Sequence, residues 1–257
     1  MNQGISVLVV DDDAGLRRLV ADVLSRAPDI DATTAADVAT ALDDLTHGDP
    51  GYDCVISDYE MPERDGLDLL RRVRERWPHL PFILFTGRGS EEIAADAIAA
   101  GVTDYLQKET GTAQYTVLLH RIRNAVGQAR AEEESRLRAR AMEAAREGIA
   151  VLDAEGYYRL VNEAFAAPFG LDTSEMVGQH WETYNTPEEV SRLREEVFES
   201  VEKTGAWEGH STALRPDGTV FEEHASLTKL PGGGFVCCCH VVGEPANCHA
   251  DTPAQAD

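Results

Sequence analysis

The sequence predicts an open, doubly wound α/β sheet in its first half and a smaller α+β domain in its second. Three observations carry this. Short apolar runs alternate with helical patterns five times in the first 124 residues. Nearly every run ends abruptly at polar residues. After Gly148 the pattern changes to short strands of alternating hydrophobicity. Five βα units in about 120 residues require a parallel sheet with helices on both faces.

The elements follow in order. Residues 5–10 (ISVLVV) form a continuous apolar run, the mark of a strand buried on both faces. Asp11-Asp12-Asp13 stops it, and Leu16, Leu19, Val20, Val23 and Leu24 then recur at helical spacing. A weaker strand is expected over 29–34 and a helix over 36–46. The run 52–57 (YDCVIS) is the next buried strand and ends at Asp58. A loop with Met61-Pro62 and Asp65-Gly66 leads to a helix carrying Leu67, Leu69, Leu70 and Val73. Residues 81–85 (PFILF) are a strand ending in Thr86-Gly87, and the Ala-rich helix 90–100 stops at Gly101. A strand over 102–107 reaches Lys108, and a last helix begins near residue 114.

In a doubly wound sheet the site lies beyond the carboxyl ends of the strands. Those ends carry Asp11, Asp12 and Asp13, then Asp58, Thr86 and Lys108. Clustered carboxylates repel, and a hard divalent cation with oxygen ligands relieves that best; Mg²⁺ takes one or two carboxylates, phosphate oxygens and water. With the metal in place, Asp58 is an oxygen nucleophile toward phosphorus, and Thr86 and Lys108 stabilise the phosphoryl oxygens.

VLVVDDD, YDCVISDYEMPERDGLDLL, FILFTG and DYLQK, in this order and spacing, resemble the response-regulator receiver domain of two-component signalling over residues 4–124. The resemblance implies a flavodoxin-like, five-stranded fold with Asp58 as phosphoacceptor. It implies a Mg²⁺ site of Asp11, Asp12, Asp58 and the Glu60 backbone carbonyl. It makes Thr86 the switch hydroxyl, Lys108 the phosphate-contacting amine and Tyr105 the aromatic that changes rotamer. One departure stands out: the family has Lys-Pro with a cis peptide where this chain has Lys108-Glu109. A cis bond before a non-proline costs about 2.5–4 kcal/mol, which puts the loop geometry after Lys108 in question. Glu60 and Arg88, two residues past Asp58 and Thr86, are expected to pair across the mouth of the site. A rival resemblance, to haloacid-dehalogenase phosphohydrolases, would make Asp11 nucleophile and Asp13 general acid. It fails at Gly15, where that family has Thr or Val, and leaves Asp58 and Tyr105 unexplained.

The helix from 114 has no clear breaker before Gly148 apart from Gly127. Leu118, Ile122, Ala125 and Ala129 follow 4-3-4 spacing, but Glu132 and Arg136 occupy the continuation, so the heptad signal is short. Residues 125–140 are read as a helical linker that dimerises or, as the alternative, a solvated connector. His120 lacks the histidine-kinase pattern and reads as a surface residue. Beyond it come a hairpin (148–162), short helices (NEAFAAPFG and TSEMVGQH), an amphipathic helix over 187–203, a hairpin around Pro216-Asp217-Gly218 and a last strand. This order, with Asn162-Glu163-Ala164-Phe165, Val177-Gly178, Trp207-Glu208-Gly209 and Pro216-Asp217-Gly218-Thr219, resembles the PAS domain over 141–244 and its antiparallel sheet. The run Cys237-Cys238-Cys239-His240 invites a metal reading. Strand alternation instead turns Cys237 and Cys239 away from Cys238 and His240, so these read as small strand hydrophobes. The PAS ligand is unknown from sequence. Residues 245–257 are polar and expected to be disordered.

The formal charge is −23, from 46 acids and 23 bases, of which only three are Lys. Both halves are acidic, at net −10 for 1–124 and −13 for 125–257. Neither has the basic footprint of a nucleic-acid module, so no nucleic acid is expected as partner. Acid excess, abundant Ala and scarce Lys resemble halophile cytosolic proteins, and at molar salt a Debye length of about 3 Å screens the self-repulsion. With no signal-like start and no apolar run near the ~20 residues of a membrane span, the expectation is cytoplasmic with no membrane partner. The predicted function is phosphorelay: Asp58 accepts phosphate from a partner histidine kinase, and the PAS domain transmits or modulates. No kinase motif follows, so the chain is expected not to be an enzyme in its own right. In this scheme a homodimer would form through the linker helix or the PAS domain. The alternative is a ligand-sensing PAS protein whose receiver serves for docking.

Overall fold

The computed structural model describes residues 4–48, 51–87 and 91–243. The chain divides after Ser135 into two compact units. In the first, β1 (Ile5–Val10), β2 (Ile30–Ala35), β3 (Cys54–Ser57), β4 (Phe82–Thr86) and β5 (Asp104–Gln107) form one sheet in the order β2-β1-β3-β4-β5. All its pairings are parallel. Between the strands lie α1 (Ala14–Leu24), α2 (Val38–His47), α3 (Gly66–Arg76) and α4 (Glu91–Ala99), and α5 (Ala113–Glu143) follows. This is the doubly wound α/β fold that the alternating pattern predicts.

Strand alternation divides the apolar runs between two faces. Val7 and Val9 of β1 with Ile83 and Phe85 of β4 meet α1 through Val20 and Leu24, and α5 through Leu118, Ile122 and Val126. Leu8 and Val10 with Val55 and Leu84 turn the other way, onto Val38 and Ala41 of α2 and Leu69, Leu70 and Val73 of α3. Leu118 and Ile122 are therefore fully buried against the sheet. The 4-3-4 spacing that suggested a dimerising seam is, at these two positions, a packing stripe of the first unit.

Aspartates start the first three helices. Asp13, Asp37 and Asp65 stand at the N-caps of α1, α2 and α3, and their carboxylates accept backbone N–H groups of the first turn. Gly101, at φ +83°, supplies the left-handed residue that closes α4. Two strands are shorter than the sequence suggests. Tyr52 and Asp53 precede β3, and Val102 and Thr103 form the approach to β5.

The second unit holds an antiparallel sheet in the order β7-β6-β10-β9-β8. Its strands are β6 (Gly148–Leu152), β7 (Tyr158–Val161), β8 (Ala206–Leu214), β9 (Val220–Lys229) and β10 (Phe235–Gly243). Short helices α6 (Glu163–Ala166) and α7 (Thr173–Met176) precede a longer helical stretch. That stretch runs as α8 (Pro187–Arg192), a π-helical segment (Leu193–Phe198) and α9 (Glu199–Thr204). The 3.6-residue pattern predicts one uninterrupted helix here, and periodicity alone does not register a π segment. Asn162 is fully buried with both ends of its amide used: Oδ1 accepts from Ile149 and Phe165, and Nδ2 donates to the carbonyls of Met142 and Glu147. Among the described residues no helix is long and apolar enough to cross a membrane.

Candidate phosphoacceptor site

The site is built where β1, β3, β4 and β5 end. Val10 pairs with Ser57, and the Asp58 N–H donates to the Val10 carbonyl at 2.8 Å, so the residues after β1 and β3 emerge side by side. On the next strands Thr86 pairs with Gln107, and the Lys108 N–H donates to the Thr86 carbonyl at 2.7 Å. The long Lys108 side chain then reaches back across the sheet end. Its ammonium donates to Asp11 Oδ2 at 2.8 Å and to Asp58 Oδ1 at 2.9 Å. These side chains are only 14%, 6% and 11% exposed, so both are charge-assisted hydrogen bonds in a largely water-excluded pocket. Burial pushes the Asp11 carboxyl above the usual carboxylate range, against the pull of the Lys108 ammonium.

The three consecutive aspartates do different work. Asp11 is buried, Asp12 is exposed, and Asp13 caps α1 by accepting from the Gly15 and Leu16 N–H groups at 2.8 and 3.0 Å. Those two bonds hold the Asp13 carboxyl below its ordinary range. An open depression beside the pocket is lined by Asp12, Tyr59, Glu60, Met61, Pro62 and Asp65. Thr86 is fully buried at the end of β4. Tyr105 is half-buried, pairs across the sheet with Leu84 and packs on the α3 side of the core. Arg88, expected to pair with Glu60, lies outside the described residues.

Two residues that hold this pocket were not singled out from the sequence. Arg17 of α1 donates through Nη1 to the carbonyl of Asp11 and, at 3.3 Å, to that of Asp12, fixing the acidic turn from behind. Gly66 opens α3 directly under Asp58. A Cβ there would stand 2.2 Å from the Asp58 carbonyl oxygen and 2.9 Å from Leu84 Cδ2. The only signal for it was the Asp65-Gly66 pair, which reads as an ordinary turn. Gly66→Ala must displace backbone, and it is expected to cost about 1–3 kcal/mol of stability and to slow chemistry at Asp58. Denaturant unfolding beside a phosphorylation assay checks both.

The donor set is all oxygen, as Mg²⁺ requires. Among the described residues no three His, Cys, Asp or Glu side chains are gathered to hold a metal by themselves. In this arrangement Asp11 and Asp58 bind Lys108, and Asp12, exposed beside them, would complete a three-carboxylate site only if a cation drew it in. Asp11, buried and raised by desolvation, is a carboxylate that a cation would relieve. The residues present fit the ion.

The second unit has its own cavity, of about 70 Å³, walled by Tyr158, Phe165, Trp181, Phe198 and Trp207 among others. That volume holds a few waters. Glu223 reaches its wall, accepts from the Ser211 hydroxyl at 2.8 Å, and has its carboxyl raised by burial. Cys237 lines the cavity and Cys239 is buried in the core beside it, as strand alternation predicts.

A doubly wound unit with an acidic pair, a third aspartate and a bridging lysine at its carboxyl edge defines the class. Comparison with known proteins agrees. Residues 7–120 match the response regulator receiver domain, and residues 136–242 match the PAS fold. Chemotaxis protein CheY-3 of Vibrio cholerae is 36% identical over 110 residues, covering 42% of this chain and 83% of that protein. A protein-glutamate methylesterase/protein-glutamine glutaminase of Nocardioides is 38% identical over 127 residues, covering 48% of this chain. The chain spans only 34% of that protein's length. A solved receiver domain from Clostridium thermocellum shares 30% identity, with 49% of this chain and 98% of that one covered at a TM-score of 0.45. The chain belongs to the response-regulator receiver family and carries a PAS domain behind the receiver.

Proposed function

We propose that this protein accepts a phosphoryl group on Asp58 from the phosphohistidine of a partner histidine kinase and signals through its PAS half. The observation that carries the reading is the Lys108 ammonium held between Asp11 and Asp58 at 2.8 and 2.9 Å. An Asp58 oxygen attacks phosphorus, the new O–P bond forms as the N–P bond breaks, and the imidazole leaves with the bonding pair. Charge on the transferred oxygens is met by Lys108 Nζ and the Thr86 hydroxyl. Asp11, Asp12, Asp58 and the Glu60 carbonyl would hold Mg²⁺, which when bound supplies positive charge to the phosphoryl oxygens. Incubation with a small phosphodonor such as acetyl phosphate, with and without Mg²⁺, tests this. Mg²⁺-dependent, alkali-labile labelling is expected, and no labelling in Mg²⁺ would refute it.

The phosphoryl group carries about −1.5 to −2 charges where the carboxylate carried −1, and brings strong acceptors beside Thr86 and Lys108. The Thr86 hydroxyl turns toward them, and Tyr105, one strand over, follows. A beryllofluoride phosphate mimic is therefore expected to move the amide resonances of Thr86, Tyr105 and the α4–β5 face. Unchanged resonances there would refute this switch.

Receiver, linker and PAS boundaries at 4–124, 125–140 and 141–244 complete the reading, with the protein working in the cytoplasm. Self-association would use the part of α5 past Val126, where Leu137 is 61% exposed, or the PAS half. The aromatic cavity with the half-buried Glu223 on its wall favours a second reading, in which PAS ligand sensing dominates and the receiver docks.

A further inference from the structure

The chain just past Lys108 is held by one side chain. Gln114, in the first turn of α5, accepts the Glu109 N–H on Oε1 at 3.0 Å. Its Nε2 donates to the Glu109 carbonyl and, at 2.9 Å, to the Gly111 carbonyl. Both backbone polar groups of Glu109 thus meet a single side-chain amide, as they would meet a neighbouring strand. On the near side, the Lys108 N–H is fixed to the Thr86 carbonyl at 2.7 Å. Lys108 therefore stands between two secured peptides. The N–H that Gln114 receives exists because residue 109 is Glu; a proline there would have none.

The geometry points to Gln114 as the positioning residue of Lys108, its amide doing for the loop after β5 what a rigid residue at 109 would otherwise do. The inference rests on the reading of Asp58 as phosphoacceptor. Lys has a flexible four-carbon stem, so where its ammonium falls depends on where its backbone is held. Lys108 must place Nζ within hydrogen-bond distance of two carboxylates on other strands. Displacements near 1 Å in such a constellation cost up to about a hundredfold in rate. Gln114 itself touches neither carboxylate in any hydrogen bond it makes to the loop, so it acts through Lys108. The bland view is a turn residue that merely closes the start of α5.

The experiment is Gln114→Ala in the full chain, in both the wild-type and Lys108→Ala backgrounds, with acetyl phosphate and Mg²⁺. About tenfold slower labelling is expected when Lys108 is present. No further slowing is expected when Lys108 is absent, because the two residues act as one unit. An unchanged rate, or equal slowing in both backgrounds, would overturn the proposal, since a purely structural role acts with or without Lys108. Amide hydrogen exchange at Lys108 and Glu109 provides a readout that needs no phosphate. Both amides should be protected in wild type and exchange faster in Gln114→Ala, and protection unaffected by the substitution would overturn the clasp. Should the wild type take no phosphate at all, the phosphoacceptor reading fails, and the clasp stands or falls on the exchange result.

Discussion

Asp58→Ala is expected to reduce phosphoryl labelling below detection while leaving the fold at least as stable as wild type. The loss follows from chemistry: Ala has no oxygen to attack phosphorus, and Lys108 bridges Asp11 and Asp58 but not the exposed Asp12, which therefore lacks the ammonium that the transferred oxygens need. Asp11 is turned onto Lys108 and also accepts the Asp13 N–H at 2.9 Å. Asp13 is committed to capping α1. The stability expectation follows from electrostatics. Asp58 is a like charge near Asp11 and adds to the upward push on its carboxyl, so its removal relieves repulsion. Lys108 keeps one partner in Asp11. Labelling with a radioactive phosphodonor, beside thermal unfolding in Mg²⁺-free buffer, reads both quantities. Labelling that survived would move the acceptor to another residue, and a large drop in unfolding midpoint would show that Asp58 is mainly structural.

Lys108→Met is expected to have the second-largest effect, on rate and on stability together. Met fills about the same volume but brings no charge, so two mostly buried carboxylates lose their shared donor. Removing one partner of a buried polar contact costs about 1–3 kcal/mol. Loss of a positioned donor to the transferred oxygens slows transfer by about 10²–10³. The stability effect should also depend on pH in a definite direction. The Asp11 carboxyl is already raised by burial, and losing the ammonium that pulls it down raises it further. A carboxyl raised in the folded state contributes stability that is fully present below its unfolded pKa and lost as pH rises through its folded one. The deficit of Lys108→Met should therefore be largest near neutral pH and close as pH falls below about 4. Denaturant midpoints across that range check the sign, and a deficit that widened on acidification would contradict it.

The parts of the site that were legible in the sequence share one physical cause. A strand buried on both faces must be continuously apolar, so the residue that ends the run is conspicuous. Asp11, Asp58 and Thr86 stand at such ends, whereas Lys108 follows β5, a half-buried strand of mixed polarity, and was legible from its place after the last strand. Arg17, Gly66 and Gln114 were hidden because each acts on backbone atoms. Arg17 binds two carbonyls, Gly66 matters for a Cβ that is not there, and Gln114 clasps a peptide unit. No spacing rule for side chains registers a carbonyl brought in from elsewhere in the fold. The first two positions of the stripe on α5 belong to the core of the first unit for a related reason. Leu118 and Ile122 have the spacing of a coiled-coil stripe, and the same spacing suits a helix laid on a sheet. In the second unit, alternation correctly separated Cys237 and Cys239 from Cys238 and His240. The aromatic cavity was not legible, since its walls come from strands and helices far apart in sequence.

The central claim, that Asp58 carries the phosphoryl group, is tested most directly by trapping it. The protein is treated with acetyl phosphate and Mg²⁺, reduced with borohydride to convert an aspartyl phosphate to homoserine, and mapped by peptide mass spectrometry. Homoserine at position 58, formed only when both phosphodonor and Mg²⁺ are supplied, is the predicted result. Homoserine at position 11, or an unreduced phosphate on a histidine or serine, would contradict it.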